Sequence, residues 1–181
     1  MAKQIKKKAF EIGELDQYLF GQGTHYEIYK KMGAHKVKSG RKTGVYFAVW
    51  APHAKRVSVV GDFNDWDTTA DIMTREEPLG IYTLFVPGVE EGMLYKYCIE
   101  TQNGDLLFKA DPFANYAEMR PGTASRVTDI SNLKWTDNTW MENRKTWNQD
   151  EAPVSIYEVH IGSWRRRPGA EDEGFYNYRQ F

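Results

Sequence analysis

Gly44-Val45-Tyr46-Phe47-Ala48-Val49-Trp50-Ala51-Pro52, followed nine residues later by Gly61-Asp62-Phe63-Asn64-Asp65-Trp66, is the stretch on which the fold turns. Val45, Phe47 and Val49 recur with a period of two, which aligns apolar side chains on one face of an extended chain. Ala51-Pro52 ends that run, since proline removes a ladder donor, and Asn64-Asp65 supplies a second turn signal. The pair of motifs therefore frames two short strands and sets an aromatic plate, Trp66, at a turn. A pyranose ring stacks its C–H face on such a plate, and its hydroxyls need groups that both donate and accept; Asn64 and Asp65 stand beside the indole.

The alternation continues downstream. Val57 and Val59 share a face, Ile81, Thr83 and Phe85 form a third set, and Tyr95, Tyr97 and Ile99 a fourth. Turn signals separate these runs at Pro78 with Gly80, Pro87-Gly88, Asn103-Gly104 and Pro121-Gly122. Asn103-Gly104 lies between Tyr97-Cys98-Ile99 and Leu106-Leu107-Phe108 and predicts a hairpin of type I′, whose central residues take positive φ. Val127 to Ile130 supplies a last strand. The expectation is a mainly β protein, a small antiparallel sandwich over residues 41–130.

Upstream, residues 10–36 read as short helical pieces within a lead-in of residues 1–40. Thr24-His25-Tyr26-Glu27 has the spacing of a capping box, Tyr26, Ile28, Tyr29 and Met32 give that helix an apolar side, and Gly33 ends it. Downstream, residues 131–153 lose periodicity and read as a linker. Val154 to Ile161 predicts a new strand in a final segment, 154–181. An isolated strand has no sheet of its own, so the sequence is read as the front of a longer protein.

Composition narrows the partners. The chain has 181 residues, 24 basic and 25 acidic, for a formal net charge of −1, and gives no electrostatic case for nucleic acid. Lys3, Lys6, Lys7 and Lys8 read as a solvated terminus. Cys98 is the only cysteine, which excludes an internal disulfide and a cysteine-based zinc site. No apolar run is long enough for a signal peptide or a membrane span, so a cytoplasmic setting is expected. Asp65 to Asp71 superficially resembles a calcium loop but lacks its sixth-position glycine and terminal glutamate. Glu76-Glu77, Glu90-Glu91 and Glu171-Asp172-Glu173 are adjacent loop carboxylates that point apart and stay solvated. Neither a metal nor a cofactor is expected.

Several of these motifs together resemble the N-terminal portion of bacterial 1,4-α-glucan (glycogen) branching enzymes. Leu19-Phe20-Gly21, Gly23-Thr24-His25-Tyr26-Glu27 and Met32-Gly33-Ala34-His35 are similar to the lead-in of that family. Phe47 to Pro52, Val59 to Asn64 and Tyr95-Lys96-Tyr97 resemble its carbohydrate-binding module of family 48, an immunoglobulin-like sandwich. Lys109 to Ala114 and Arg120 to Ser125 are similar to the exit from that module. Ser155 to Trp164, with Glu158-Val159-His160, looks like the first strand of an α-amylase-type (β/α)8 barrel of glycoside hydrolase family 13.

The resemblance implies a retaining glucan transfer that forms α-1,6 branches, which calls for a carboxylate nucleophile and an acid about 5 to 5.5 Å apart. In the family both arise on later barrel strands, so this chain by itself is expected to be catalytically silent. It implies an α-1,4-glucan partner, glycogen or malto-oligosaccharides, and a catalytic barrel of the same polypeptide. By match of position the glucan-binding residues are Trp66, Lys96 and Phe108, with Asn64 in the turn; the other readings are that Trp66 packs against the barrel or fills the end of the sandwich, and that Asn64 and Asp65 only shape the turn. Parity supports Lys96: with Tyr95, Tyr97 and Ile99 inward, Lys96 faces outward. Phe108 departs from the family's preference for tryptophan, and a smaller plate stacks less strongly. Trp50 reads as structural, Trp164 as packing within a loop, and His160 as a satisfied core histidine. Two alternatives are a free-standing glycogen-binding module and the front of a debranching enzyme or maltooligosyl-trehalose hydrolase.

Overall fold

In the computed structural model, the described residues are 10–147, 151–169 and 174–181. The basic Lys3 to Lys8 cluster and the Glu171-Asp172-Glu173 run lie outside them. Contacts divide the chain into two compact units, Met1–Leu133 and Lys134–Phe181.

The first unit holds two antiparallel sheets. One is formed by β1 (Gly33–Ser39), β2 (Lys42–Trp50), β5 (Ile81–Pro87) and β4 (Thr74–Glu76), in the order β1-β2-β5-β4. The other runs β3 (Arg56–Gly61), β6 (Leu94–Glu100) and β7 (Leu106–Lys109), with the short β8 (Ser125–Arg126) also pairing with β6. Between β3 and β4 the chain switches sheets: Val59 N donates to Asp71 O and Met73 N to Val57 O before β4 joins β5.

Side chains from both sheets interdigitate in the core. Val45, Phe47, Val49, Tyr82 and Val86 of the first sheet meet Val57, Val59, Tyr95 and Tyr97 of the second. The ring centroids of Phe47 and Tyr95 lie 5.1 Å apart, edge to face. The predicted faces Val45/Phe47/Val49, Val57/Val59 and Tyr95/Tyr97 all point into this layer. The third set does not. Ile81 and Phe85 belong to a second cluster on the outer face of the first sheet, with Tyr46, Ala48, Ile12 and Met32. Residues 10–32 cover that face, so β2 is buried on both sides from Val45 to Val49. Period two reveals which residues share a face but not which layer covers it. Burial pushes the Tyr46 phenol up to about 12.

The lead-in is less helical than expected. It contains α1 (Glu14–Gly21) and a single 3-10 turn, Ile28–Lys30. No capping box forms at Thr24; Glu27 instead pairs with Lys30, and Thr24 Oγ1 lies 3.4 Å from Leu19 O. At α1 the capping is one-sided: Asp16 Oδ2 accepts from Gly13 N at 2.7 Å, and Gly13 has no side chain to return the bond. Gly33 starts β1 rather than merely ending a helix, and its register against β2 pairs Gly33 with Ala48 and Ser39 with Lys42. Tertiary pairing overrides the local helical signal there: β1 gains a ladder with β2 that an isolated three-turn helix cannot match.

Two other expectations shift in detail. The hairpin at Asn103-Gly104 forms, with Gly104 at φ 92 and its N–H bonded to Thr101 O at 3.0 Å. Asn103 is not among the positive-φ residues, so the turn is the longer kind closed by one left-handed glycine, not type I′. The last strand comprises Ser125–Arg126 and not Val127–Ile130, although Val127 N still donates to Met93 O at 2.9 Å.

In the second unit, α2 spans Asn138–Asn143 and α3 spans Ile161–Trp164. The expected barrel strand at 154–161 is absent: residues 154–160 have no regular structure, and Ile161 opens a helical turn. A strand buries and pairs only when neighbours satisfy its backbone, and the described residues offer this segment none. His160 is exposed rather than a core histidine, with Nδ1 2.9 Å from Ser163 Oγ. Trp164 packs edge to face with Tyr157 and Phe181 at 5.4 and 5.9 Å. No hydrophobic side chain described in this unit is buried, and Trp135, Trp140, Tyr157 and Trp164 are all exposed.

Candidate glucan-binding face

The Gly61-Asp62-Phe63-Asn64 turn assigns one task to each residue. A Cβ at Gly61 would collide with the carbonyl oxygen of Leu94, so only glycine lets β3 close on β6. Asp62 ties the turn to β6 by accepting from Leu94 N at 2.7 Å through Oδ2. Phe63 turns inward and lies 5.8 Å from Phe47, ring to ring. Asn64 holds the loop: its Oδ1 accepts from Gly61 N at 2.9 Å, and Nδ2 donates to Val59 O at 3.0 Å and to Asp71 Oδ2 at 2.7 Å. Both amide protons are thereby used. Asn64, expected among the glucan contacts, has no donor left for a sugar hydroxyl and acts as the brace of the turn.

Asp65 and Trp66 follow with φ of 51 and 61, the left-handed region that side chains enter only under constraint. Trp66 N donates to Gly61 O at 3.1 Å, which fixes the reversal. At this turn beyond β3 the Trp66 residue is 37% exposed. Downstream, the loop folds over the outer face of the second sheet, where Ser58 Oγ donates to Thr68 O at 2.8 Å. That cover buries Ser58, Val60 and Cys98, and burial raises the Cys98 thiol.

Lys96 lies on the same outer face, paired with Val60 of β3, next in line to the Gly61–Tyr95 pair from which the turn departs. Its Nζ donates to Thr123 Oγ1 at 2.6 Å, which draws the ammonium toward the segment entering β8. Phe108 pairs with Cys98, two residues along β6 from Lys96, so Lys96 and Phe108 are diagonal neighbours on one face. Phe108 is 49% exposed on the edge strand β7, beside Leu106 at 44%. Lys96 and Phe108 therefore share the outer face of the second sheet, and Trp66 lies in the turn that leaves β3 at Gly61, with Glu100 bridging Lys55 at 2.6 Å and Arg56 at 2.8 Å farther along β6. These three residues supply two aromatic side chains and an ammonium, groups of the kind that stack on sugar rings and bind hydroxyls.

Trp50 is not part of it. It sits at the end of β2 on the first sheet, where Nε1 donates to Leu79 O at 2.9 Å and Phe20 meets it edge to face at 5.8 Å. The sequence reading missed Thr123 and Asp111. Asp111 is a buried carboxylate that receives the hydroxyl of Tyr95 at 2.6 Å, with Tyr97 at 3.2 Å and its own amide bonded to Ser125 Oγ at 2.9 Å. No spacing signals such a hub, because Tyr95, Tyr97 and Ser125 lie fourteen or more residues away in sequence. Among the described residues no group of three or more His, Cys, Asp or Glu is placed to hold a metal ion, and no helix is long and apolar enough to cross a membrane.

The profile of carbohydrate-binding module 48, described as the isoamylase N-terminal domain, matches residues 31–114. The chain is 55% identical over 177 residues to the 1,4-α-glucan branching enzyme of Butyrivibrio fibrisolvens, an alignment that spans 98% of this chain and 28% of that enzyme. It is 44% identical over 180 residues to the branching enzyme of Desulfitobacterium hafniense, 99% of this chain and again 28% of the relative. Among solved structures, a maltotriose complex of a Klebsiella pneumoniae pullulanase variant aligns with a TM-score of 0.45 and 28% identity, over 55% of this chain and 11% of that one. The chain thus spans little more than a quarter of the length of these branching enzymes. From Met32-Gly33 through the Gly61-Asp62-Phe63-Asn64 turn to Trp164, it is similar to the N-terminal portion of the bacterial 1,4-α-glucan branching enzymes, with carbohydrate-binding module 48 at its centre.

Proposed function

We propose that this chain is the glucan-binding N-terminal portion of a 1,4-α-glucan branching enzyme, that its sandwich is an immunoglobulin-like module beginning at Gly33, and that the module holds an α-1,4-glucan on the outer face of the second sheet. The observation that carries the reading is the turn at Asn64: a side chain engaged by Gly61, Val59 and Asp71 braces a turn with two left-handed residues, the second of which is a partly exposed tryptophan. Trp66 and Phe108 stack on successive glucose units, and Lys96 donates to their hydroxyls. Asn64 supports Trp66 without touching the sugar.

The branching reaction belongs to the full-length enzyme, whose catalytic carboxylates arise outside residues 1–181. The module's contribution is to hold a growing glucan near that chemistry, raising its local concentration as any tethered site does.

Isothermal titration of maltoheptaose into this chain and into Trp66→Ala tests the proposal, with circular dichroism as the fold control. Saturable binding that the substitution weakens by an order of magnitude or more is expected. Binding indifferent to Trp66→Ala would remove the indole from the site, and no binding by either protein would leave the module a supporting domain.

A further inference from the structure

A second groove lies on the opposite layer of the sandwich, between α1 and the connection from β4 to β5. It encloses about 700 Å³, within the roughly 300–1,000 Å³ of small-ligand sites. One wall comes from Glu14, Gln17, Tyr18, Gly21 and Gln22, the other from Glu76 through Leu79. Glu14, Gln17, Tyr18 and Gly21 follow the spacing i, i+3, i+4, i+7, which puts them on a single face of α1, and Gln22 caps its end in line with them. On a packing helix that stripe would be apolar. Here it carries a carboxylate, two amides and a phenol, and Tyr18 is 65% exposed.

The opposite wall is held in place. Leu79 is fixed by the Trp50 indole N–H at 2.9 Å. Glu77 accepts from Arg75 Nε at 2.6 Å, and Glu76 accepts from Thr83 at 3.1 Å. Gly21 keeps the groove narrow at one end, where a Cβ would stand 3.5 Å from Leu79. The lining thus combines an aromatic ring, two side chains that donate and accept, and three that only accept.

Charge selects the ligand class. The lining contains Glu14, Glu76 and Glu77 and neither lysine nor arginine, so phosphates, sulfates and polyanions are repelled. Among the described residues, Glu14, Glu76 and Glu77 do not gather into a group placed to hold a metal ion. A neutral polyhydroxyl ligand fits: its hydroxyls donate to the glutamates, Gln17 and Gln22 take both roles, and its apolar ring face lies on Tyr18.

We infer that this groove is a second binding site for a neutral α-glucan chain, on the face of the sandwich opposite Trp66. The inference rests on the α-glucan reading given above for its choice of sugar, though not on the Trp66 face. Two sites on opposite layers let the module hold two chains, or two branches of one polymer, at once.

The test is calorimetric titration of maltoheptaose into the 181-residue chain, Trp66→Ala, Tyr18→Ala, Tyr18→Phe and the Trp66→Ala/Tyr18→Ala double variant. Tyr18 is exposed, so its replacement leaves the fold intact, checked by near-ultraviolet circular dichroism. Saturable binding that remains in Trp66→Ala, weakens roughly tenfold on adding Tyr18→Ala, and is retained by Tyr18→Phe is the expected result. Binding in Trp66→Ala that Tyr18→Ala leaves unchanged overturns it. Binding abolished by Trp66→Ala alone also overturns it while upholding the Trp66 face; binding abolished by Tyr18→Ala alone upholds the groove and refutes the Trp66 face. No binding by any of the five proteins overturns both.

Discussion

The Tyr95 hydroxyl donates to Oδ2 of Asp111 at 2.6 Å inside the sandwich, where Tyr95 is 1% and Asp111 6% exposed. Asp111 is further engaged by Phe113 N at 2.8 Å, by Ser125 and by Tyr97. The Asp111 carboxylate therefore ties β6 to the chain between β7 and β8, and the Asp111 backbone amide ties that chain to β8. Replacing Tyr95 with phenylalanine preserves the ring and removes the donor. Tyr95→Phe is expected to destabilise the protein by about 1–3 kcal/mol, the cost of leaving a buried polar group short of a partner, measured by urea denaturation.

The same carboxyl gives the stability a pH dependence of defined sign. Burial holds Asp111 above its ordinary carboxylate value, outweighing the hydrogen bonds from Tyr95, Phe113 and Tyr97. The folded protein therefore binds this proton more tightly than the unfolded chain does. Its contribution to stability is fully present below the unfolded value, about pH 3.9, and is lost as pH rises through the folded value. Denaturation of wild type and Asp111→Asn across pH 3 to 8 checks this: the difference in unfolding free energy between them should shift against the wild type as pH rises in that window. A flat difference contradicts it.

Asn64→Ala removes three hydrogen bonds from a turn that holds Asp65 and Trp66 at positive φ. The expected loss is about 1–3 kcal/mol of stability, accompanied by weaker maltoheptaose binding although the side chain touches no sugar. Tryptophan fluorescence and calorimetry on the folded variant measure both. Unaltered affinity in Asn64→Ala would show that the turn positions Trp66 without help from the amide.

Phe108 stands half exposed on the edge strand β7 of the proposed glucan-binding face, where a larger plate would cover more of a glucose ring. Phe108→Trp should tighten maltoheptaose binding a few-fold, in line with the roughly 0.5–1.5 kcal/mol range of aromatic contacts. Because the side chain is half exposed, stability should change little. Weaker or unchanged affinity would place Phe108 outside the contact surface.

Limited trypsinolysis distinguishes the two units. Lys134, Arg144 and Lys145 are exposed, and no hydrophobic side chain described in Lys134–Phe181 is buried. Residues 10–32 contribute Ile12 and Met32, at 1% and 0% exposure, to a packed cluster. Mass spectrometry should therefore find cleavage first between Lys134 and Lys145, leaving a resistant species that retains Ile12. Prior cleavage at Lys30 or Lys31 would show that the segment covering the first sheet opens before the second unit is cut.

By itself, the sequence determined the local periodicities and the turn chemistry. Alternation at Val45, Phe47 and Val49 and at Tyr95 and Tyr97 marked the strands and their inward faces, because side-chain direction in a strand depends only on parity. The same parity put Lys96 outward, and Asn103-Gly104 located a hairpin. Its motifs also carried the resemblance to branching enzymes. What parity could not decide was which elements cover which face. Ile81 and Phe85 alternate as a core strand should, yet they face the lead-in segment instead of the second sheet. Gly33 to Ser39 follow a helical signal but become a strand because β2 offers a free edge. Val154 to Ile161 read as a strand, and without a neighbour among the described residues they form none. The Asp111 hub, the brace at Asn64 and the groove at Tyr18 are likewise tertiary facts, since each joins residues whose partnership depends on chain paths that local propensity does not encode.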